Sequence, residues 1–189
     1  TFQGLMIMML AHGISSAALF IMCGQVYERL HTRDLRKMGG IRGQFQYLPF
    51  FLMFFVAALV GIPGLGNFIG EFLILMGSFE KFPTFTILAA ISLVLAGLYG
   101  LILIHKAMFG TPNEEQKQHY TNPLKDLNSR EIVILLVCAV ALLWLGIYPQ
   151  SFLDISNSSM AWLANSYIPV QDVVDATQQV VSQQNVEIQ

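Results

Sequence analysis

The stretch "VGIPGLGNFIGEFLILMGSF", Val60 to Phe79, decides the fold of this chain. Most of it has the composition of a membrane helix, but it opens with three glycines and a proline and carries an acid, Glu71. Proline has no N–H and clashes with the preceding helical turn, and glycine adopts backbone angles that other residues avoid. The stretch therefore predicts a helix that is broken from Gly61 to Asn67 and resumes at about Phe68, with the Asn67 side chain as its N-terminal cap.

The acid in this stretch is the main candidate for a functional group. Glu71 is the only carboxylate predicted inside a span, where a charge costs about 3 kcal/mol to insert. The N-terminus of the second half-helix favours its ionised form and desolvation favours its neutral form, so the group is suited to changing its protonation. The alternative is a neutral acid that only joins two helices by a hydrogen bond.

The broken backbone needs a special environment as well. At membrane depth it must be buried in protein or line a water-filled cavity, because lipid offers no hydrogen bonds. We therefore expect a wet pocket beside Glu71. The residues predicted to shape this pocket are Gly61, Pro63, Gly64, Gly66 and Asn67.

The rest of the chain indicates an all-α, polytopic integral membrane protein. Of its 189 residues, 54% are hydrophobic and 12% are charged, whereas a soluble domain has about 25% charged residues. A span needs about 20 apolar residues, and four segments qualify, at about 2–28, 47–79, 85–109 and 131–149. We expect residues 1–169 to form a four-helix transmembrane domain. Residues 170–189 are expected to form a polar tail that is either disordered or contains short amphipathic turns.

The basic residues predict the orientation in the membrane. Nine of the ten lysines and arginines lie in loops 27–46 and 106–130, which fall on the same side of a chain with four spans. The positive-inside rule places these loops in the cytoplasm and the C-terminus on the opposite side of the membrane. The net charge of −2 argues against nucleic-acid binding, which needs clustered basic residues.

Two histidines lie in or at the end of predicted spans. His12 lies inside the first span, with Ser15 and Ser16 on or beside its helical face. Because imidazole titrates near neutral pH, His12 is the predicted partner of Glu71 in a proton relay; the alternative is a histidine that bonds a neighbouring carbonyl. His105 ends the third span, where its side chain is expected to extend to the membrane interface. Ser16 and His105 are secondary candidates.

No catalytic or metal-binding motif accompanies these residues. The sequence contains no GxGxxG, P-loop, HExxH, CxxC or GxSxG pattern. Cys23 and Cys138 each lie in an apolar run, so we expect small buried side chains rather than a disulfide or a metal site. The chain is therefore predicted to hold no cofactor, no metal ion and no redox centre.

Two long motifs, "LAHGISSAALFIMCGQVYERLHTRDLRKMGG" and "GIPGLGNFIGEFLILMGSF", follow one another along the chain. In combination they resemble the M-type subunits of bacterial NADH–quinone oxidoreductase, respiratory complex I. These belong to an antiporter-like family that includes the L-type and N-type subunits and the multisubunit cation/proton antiporters. The resemblance covers about residues 1–167, which look like the last spans of such a subunit. The chain, which begins without Met, is therefore expected to be a C-terminal fragment.

The resemblance implies roles for individual residues. The family builds a proton channel from two inverted repeats, each with a broken helix. Glu71 matches the family's acid on the second broken helix, and His12 matches the histidine in the preceding span. L-type and N-type chains typically have a lysine at the position of Glu71, so the glutamate points to an M-type chain.

The implied function is that of a proton-translocating subunit of an H⁺-translocating NADH:ubiquinone reductase in the bacterial inner membrane. Its partners would be the lipid bilayer and other membrane subunits, above all the neighbouring antiporter-like ones. NADH, FMN, the iron–sulfur clusters and the quinone would be bound by other subunits. Two alternatives stay open: a subunit of a multisubunit Na⁺/H⁺ antiporter with the same fold, and a structural bundle that anchors assembly.

Overall fold

The computed structural model describes residues 2–35, 38, 40–109, 125–155 and 162 of the protein. Every regular element in these ranges is a helix, which confirms the predicted all-α class. The chain divides into two compact units, Thr1–Pro149 and Gln150–Gln189. In the second unit residues 150–155 are helical. The predicted tail at 170–189 lies outside the described residues.

The helices of the first unit are α1 (Phe2–Leu30), α2 (Ile41–Gln44), α3 (Leu48–Leu59), α4 (Gly66–Phe79), α5 (Pro83–Phe109) and α6 (Ser129–Ile147). Three of them, α1, α5 and α6, are long and apolar enough to cross a membrane, and α3 and α4 are shorter apolar helices. With 12 and 14 residues, α3 and α4 are about 18 and 21 Å long. Neither alone reaches across a hydrocarbon core of about 30 Å, but together they have the length of one span.

The break between α3 and α4 begins with a Schellman cap. Gly61 has a left-handed backbone conformation, with a φ of 76°. Its N–H donates to the carbonyl of Ala58, and the N–H of Ile62 donates to that of Ala57, both at 3.2 Å. Because these bonds satisfy two of the last carbonyls of α3, the helix ends at Leu59 without leaving those carbonyls unpaired in an apolar sequence.

Pro63 and Gly64 complete the break. Proline is common just after such a cap because it cannot continue the helix, and Gly64 is again left-handed, with a φ of 98°. Helix α4 begins at Gly66. The break therefore covers residues 60–65 and ends two residues earlier than predicted, because Gly66 and Asn67 already belong to the first turn of α4.

Helices α1 and α4 pack against each other through small residues. A Cβ on Gly70 of α4 would lie 2.8 Å from the Cα of Met8, and a Cβ on Gly66 would lie 3.0 Å from the Cβ of Ala11. Small residues let helix backbones approach closely in lipid, where van der Waals packing replaces the hydrophobic effect. The buried residues of α1 follow a spacing of three and four: Gly4, Ile7, Ala11, Ser15, Ala18, Met22 and Val26.

Helix α6 covers the break from another direction. A Cβ on Gly146 would lie 2.6 Å from the Cα of Leu65 and would collide with the carbonyl of Gly64. Leu142 of α6 is fully buried beside it. The irregular backbone is thus packed against protein, as broken backbone at membrane depth must be.

Helix α5 is the outermost of the long helices. Gly100 packs against Val60 at the end of α3. Most of its large apolar side chains are exposed, with Phe85 and Val94 both at 73%. A helix that is apolar on all sides and exposed is typical of a span that faces lipid or another membrane subunit.

A polar network joins helix ends at the C-terminal end of α1. Arg29 Nη2 forms an ion pair with Glu131 Oε2 of α6 at 2.9 Å. The Arg29 guanidinium also donates to the carbonyls of Lys125 and Asp126, at 3.0 and 3.1 Å. Glu131 in turn accepts the N–H of Asn128 at 2.8 Å, which completes a capping box at the start of α6.

Asp126 connects this network to α3. Its carboxylate accepts the N–H groups of Gln46, Tyr47 and Leu48 at 2.7, 2.8 and 3.3 Å. It also accepts the N–H of Leu127 at 2.7 Å. Burial by itself raises the pKa of Asp126, but the four N–H donors outweigh burial and hold the pKa below its usual range.

These bonds bring loops 27–46 and 106–130 together. Arg29 bonds Lys125, and Gln46 bonds Asp126, so the described ends of both loops lie at one end of the bundle. This is the arrangement that a chain with both loops on one side of the membrane requires.

Candidate functional site

Asn67 is the polar centre of the break. The residue is fully buried, and its Nδ2 donates to the carbonyl of Ala58 at 2.7 Å and to Ser15 Oγ at 3.0 Å. One side chain thus joins the end of α3, the start of α4 and the middle of α1. The prediction that Asn67 caps α4 is wrong: the helix already begins at Gly66, its cap position is Leu65, and the side chain reaches to neighbouring helices instead.

Glu71 lies one helical turn after Asn67 and against the break. A Cβ on Gly61 would collide with the Glu71 carboxylate, so the glycine makes room for the acid as well as for the turn. Glu71 is partly buried. Its Oε2 atom is buried and has no hydrogen-bond partner in the part of the chain that the structure describes. The structure therefore brings Glu71, Gly61 and Asn67 into one site.

His12 lies apart from this site. Its side chain is exposed, and within the described ranges it forms no hydrogen bond with Glu71. The reason is its place on the helix: the buried face of α1 contains Ala11 and Ser15, and His12 lies one residue off that face. A relay between His12 and Glu71 stays a prediction.

Ser15, and not the predicted candidate Ser16, is the serine that lies at the break. It is fully buried, accepts from Asn67 and donates to the carbonyl of His12 at 3.1 Å. The predicted Ser16 is only partly buried. The signal that distinguishes them is the spacing of small and apolar residues along α1, which places Ser15, and not Ser16, on the packed face.

His105 and the cysteines lie away from the break. His105 is exposed near the end of α5, where its ring stacks on Phe109 with centroids 6.3 Å apart. Both cysteines are free thiols, as predicted, but Cys23 is exposed and Cys138 is only partly buried. The expectation of full burial is wrong for both, because neither lies on a packed face of its helix.

The chemistry available at the break is that of a carboxyl group. Among the described residues, no cluster of three or more His, Cys, Asp and Glu side chains could hold a metal ion. Glu71 combines one buried oxygen with a partly exposed side chain, so it can exchange a proton with a donor that reaches it from the exposed side. Asn67 and Ser15 cannot titrate and can only orient their neighbours.

Comparison with known proteins assigns a family to this arrangement. The family model described as "NADH:quinone oxidoreductase/Mrp antiporter, TM" matches residues 1–109, which contain α1 to α5 and the break. The site residues of the break all lie inside this match.

Two bacterial relatives match a longer part of the chain. The chain is 51% identical over 158 residues to "NADH-quinone oxidoreductase subunit M" of Pseudomonas aeruginosa, covering 84% of this chain and 30% of that protein. It is 44% identical over 169 residues to the protein of the same name from Escherichia coli K12, covering 87% of this chain and 33% of that protein. The chain thus spans about a third of the length of the curated relatives it matches.

A solved structure has the same fold. One chain of respiratory complex I from Thermus thermophilus with bound NADH superimposes with a TM-score of 0.71 at 29% sequence identity. The match covers 79% of this chain and 30% of that chain. The predicted resemblance to M-type subunits and the predicted membrane fold are both confirmed.

Proposed function

The chain belongs to the NADH:quinone oxidoreductase/Mrp antiporter family of transmembrane subunits, and from this premise we propose that it is part of subunit M of a bacterial NADH–quinone oxidoreductase and relays protons. Both bacterial relatives described above are named subunit M, and the matching structure is a complex I. These names favour complex I over the multisubunit Na⁺/H⁺ antiporter, which shares the family.

The observation that carries the proposal is the position of Glu71. A carboxylate that lies against a helix break, with one oxygen buried and unpaired among the described residues, is poorly explained as a helix–helix tie, because a tie would have a partner. An ionisable group at this depth is expensive and is characteristic of proton and ion pathways. Broken helices supply the binding sites of many membrane transporters near the midplane.

In the proposed mechanism Glu71 is the proton carrier of this chain. It binds a proton in one state of the enzyme and releases it when a neighbouring charge or conformation changes. His12 is the proposed second carrier. Because its side chain is exposed and forms no hydrogen bond with Glu71 among the described residues, the proton would pass between the two groups through water or through a side chain outside those residues. Gly61, Pro63, Gly64, Gly66 and Asn67 shape the pocket, and Ser16 and His105 are secondary positions.

The proposal also places the chain in its surroundings. It would lie in the bacterial inner membrane beside other antiporter-like subunits, with loops 27–46 and 106–130 in the cytoplasm and the C-terminus in the periplasm. The hydrogen bonds between these loops support a common side. Electron transfer from NADH to ubiquinone would take place in other subunits, so this chain would carry no cofactor of its own.

The test is Glu71→Gln in the full-length subunit of the assembled complex. The substitution keeps the size and removes the titrating proton, so we expect normal assembly and normal NADH oxidation per complex, with proton uptake by inverted vesicles strongly reduced. Normal pumping would refute the relay. Failure to assemble would instead favour the structural-bundle alternative.

His12→Asn separates the second carrier from a packing role. We expect impaired proton uptake in a complex that assembles normally, because asparagine keeps a hydrogen-bonding side chain but cannot carry a proton near neutral pH. An assembly defect with unchanged pumping per assembled complex would assign His12 to packing.

A further inference from the structure

Two buried oxygen atoms at the break lack a hydrogen-bond donor. In the described part of the chain, Asn67 Oδ1 and Glu71 Oε2 are both buried and unpaired. They belong to residues four apart on α4, which places their side chains on the same face, one turn from each other. Buried acceptors are paired in the great majority of native structures, so each of these two atoms calls for a donor.

The orientation of the Asn67 amide is set by its partners. The carbonyl of Ala58 can only accept, so the amide nitrogen and not the oxygen must face it. Ser15 Oγ donates its own hydrogen to the carbonyl of His12 and therefore accepts from Asn67. Both hydrogens of Nδ2 are thus used. A flipped amide would place Oδ1 against the Ala58 carbonyl and Ser15 Oγ, neither of which has a hydrogen to offer it. The free atom is Oδ1.

The surrounding helices supply few charged or titratable groups that could act as the donor. Helix α3 contains no titratable side chain, and α4 contains only Glu71. On α1 the titratable side chains are His12 and Cys23, both exposed, and the group at the C-terminal end around Arg29. On α6 they are Cys138 and the N-terminal pair Arg130 and Glu131. On α5 they are Tyr99, His105 and Lys106, all exposed.

We propose that one ordered water molecule is bound in the break and donates one hydrogen bond to Asn67 Oδ1 and the other to Glu71 Oε2. A water has two hydrogens, which matches the two acceptors, and buried waters typically serve polar groups that protein atoms leave unpaired. Asn67 is then a positioning residue with two functions. Its nitrogen holds α3 and α1 together at the break, and its oxygen holds the water against the acid.

This arrangement defines how a proton reaches Glu71, a step that rests on the proposed function. A proton that arrives on the water passes to Glu71 Oε2 and leaves the water neutral, still bound to Asn67 Oδ1. The amide does not titrate, so it fixes the water without competing for the proton.

The experiment is electron cryomicroscopy of the full-length subunit in the assembled complex, at a resolution that shows ordered waters. We expect one peak within hydrogen-bonding distance of both Asn67 Oδ1 and Glu71 Oε2. The peak should vanish in Asn67→Leu, which keeps the size and removes the oxygen together with the nitrogen that bonds Ala58 and Ser15, and proton uptake should fall by about tenfold. It should persist in Ser15→Ala, which leaves the amide oxygen and its Ala58 contact in place.

Several results would overturn the inference. They are the absence of such a peak in the unaltered complex, a peak that touches only one of the two oxygens, or a protein side chain that donates to either of them. A peak that stays in place in Asn67→Leu would also overturn the inference. If Asn67→Leu does not assemble, the presence or absence of the peak in the unaltered complex is the test of the inference. The water peak and proton pumping by Glu71→Gln are separate measurements. A failure of the water site is therefore distinguishable from a failure of the proposed function.

Discussion

Two polar regions lie in this bundle, one at the helix ends and one at the break. At the helix ends, Arg29 and Glu131 form an ion pair, and Asp126 accepts four backbone N–H groups. At the break, Asn67 is fully buried and Glu71 is partly buried, but each has an oxygen atom that no described residue pairs. The first region is rich in charge, and both of its carboxylates, Asp126 and Glu131, accept hydrogen bonds. The second region holds a single ionisable group, and one oxygen of that group has no partner among the described residues.

The difference supports the proposed division between a structural joint at the helix ends and a proton carrier at the break. A carboxylate held by several donors keeps its charge, because protonation would break those bonds. It therefore suits a fixed joint between α1, α3 and α6. A group that carries protons must have protonated and ionised forms of similar free energy. Its surroundings must therefore not strongly stabilise one form over the other. Glu71, beside a helix terminus and partly desolvated, meets this condition.

The largest expected effect comes from filling the space between the break and the acid. In Gly61→Ala the new methyl group meets the Glu71 carboxylate, and a displaced proton carrier can lose about a hundredfold in rate. Proton uptake by inverted vesicles, normalised to NADH oxidation, measures the loss. Gly64→Ala is the matched control, since Gly64 has a similar positive φ but a Cβ there has no atom within 4 Å. Equal losses in both variants would assign the effect to backbone strain. They would show that the contact between residue 61 and the Glu71 carboxylate is not its cause.

A smaller effect is expected where α6 meets the break. In Gly146→Ala the methyl group collides with the backbone of Gly64, which cannot move as a side chain can, so α6 must shift away from the pocket. We expect proton uptake to fall by about tenfold. Gly97→Ala on α5 is the control, because its Cβ would make an ordinary 3.5 Å contact with Val60. Unchanged uptake in Gly146→Ala would show that the position of α6 does not matter to the site.

The helix-end network should affect stability and leave pumping alone. Arg29→Met removes the ion pair and leaves the Glu131 carboxylate, which is 19% exposed, without its cation; the local cost is about 2 kcal/mol. The measurement is the temperature at which the solubilised complex loses this subunit. Arg33→Met is the control, since the one contact of Arg33 with the residues that the structure describes is to a ring, 4.7 Å from the centre of Tyr27. If Arg29→Met assembles fully but does not pump protons, the helix-end network is not purely structural and the distinction between the two regions is wrong.

The smallest effect is a pH dependence at Asp126. Because the folded state lowers the pKa of this group below its ordinary value of 3.8, the stabilisation is complete above that value and is lost as the pH falls through the folded pKa. We expect Asp126→Asn to be less stable than the unaltered subunit at neutral pH. The gap should narrow as the medium is acidified below 3.8. A gap that is constant with pH would mean that the carboxylate charge contributes nothing.

The sequence and the structure agree on the parts of the molecule that local chemistry decides. The order of helices, the break that follows α3 and the place of Glu71 on α4 follow from hydropathy and from residues whose backbone preferences act over a few positions. The end of the break was misplaced by two residues, because Gly66 accepts a helical as readily as an irregular conformation. The role of Asn67 as a cap was wrong for the same reason, since the helix had already begun before it.

By itself, the sequence determined that this chain is a helical membrane protein with one broken span, and which acid lies in that span. Only the tertiary structure decided which side chains meet. Ser15 and Asn67 are 52 positions apart and Arg29 and Glu131 are 102 apart, and their contacts depend on how each helix is rotated and shifted against the next. Neighbouring residues on a helix point about 100° apart, which separates the buried Ala11 from the exposed His12 and the buried Ser15 from the partly buried Ser16. Local propensity contains no information on that rotation, which is set by the close packing of small residues such as Gly70 and Gly146.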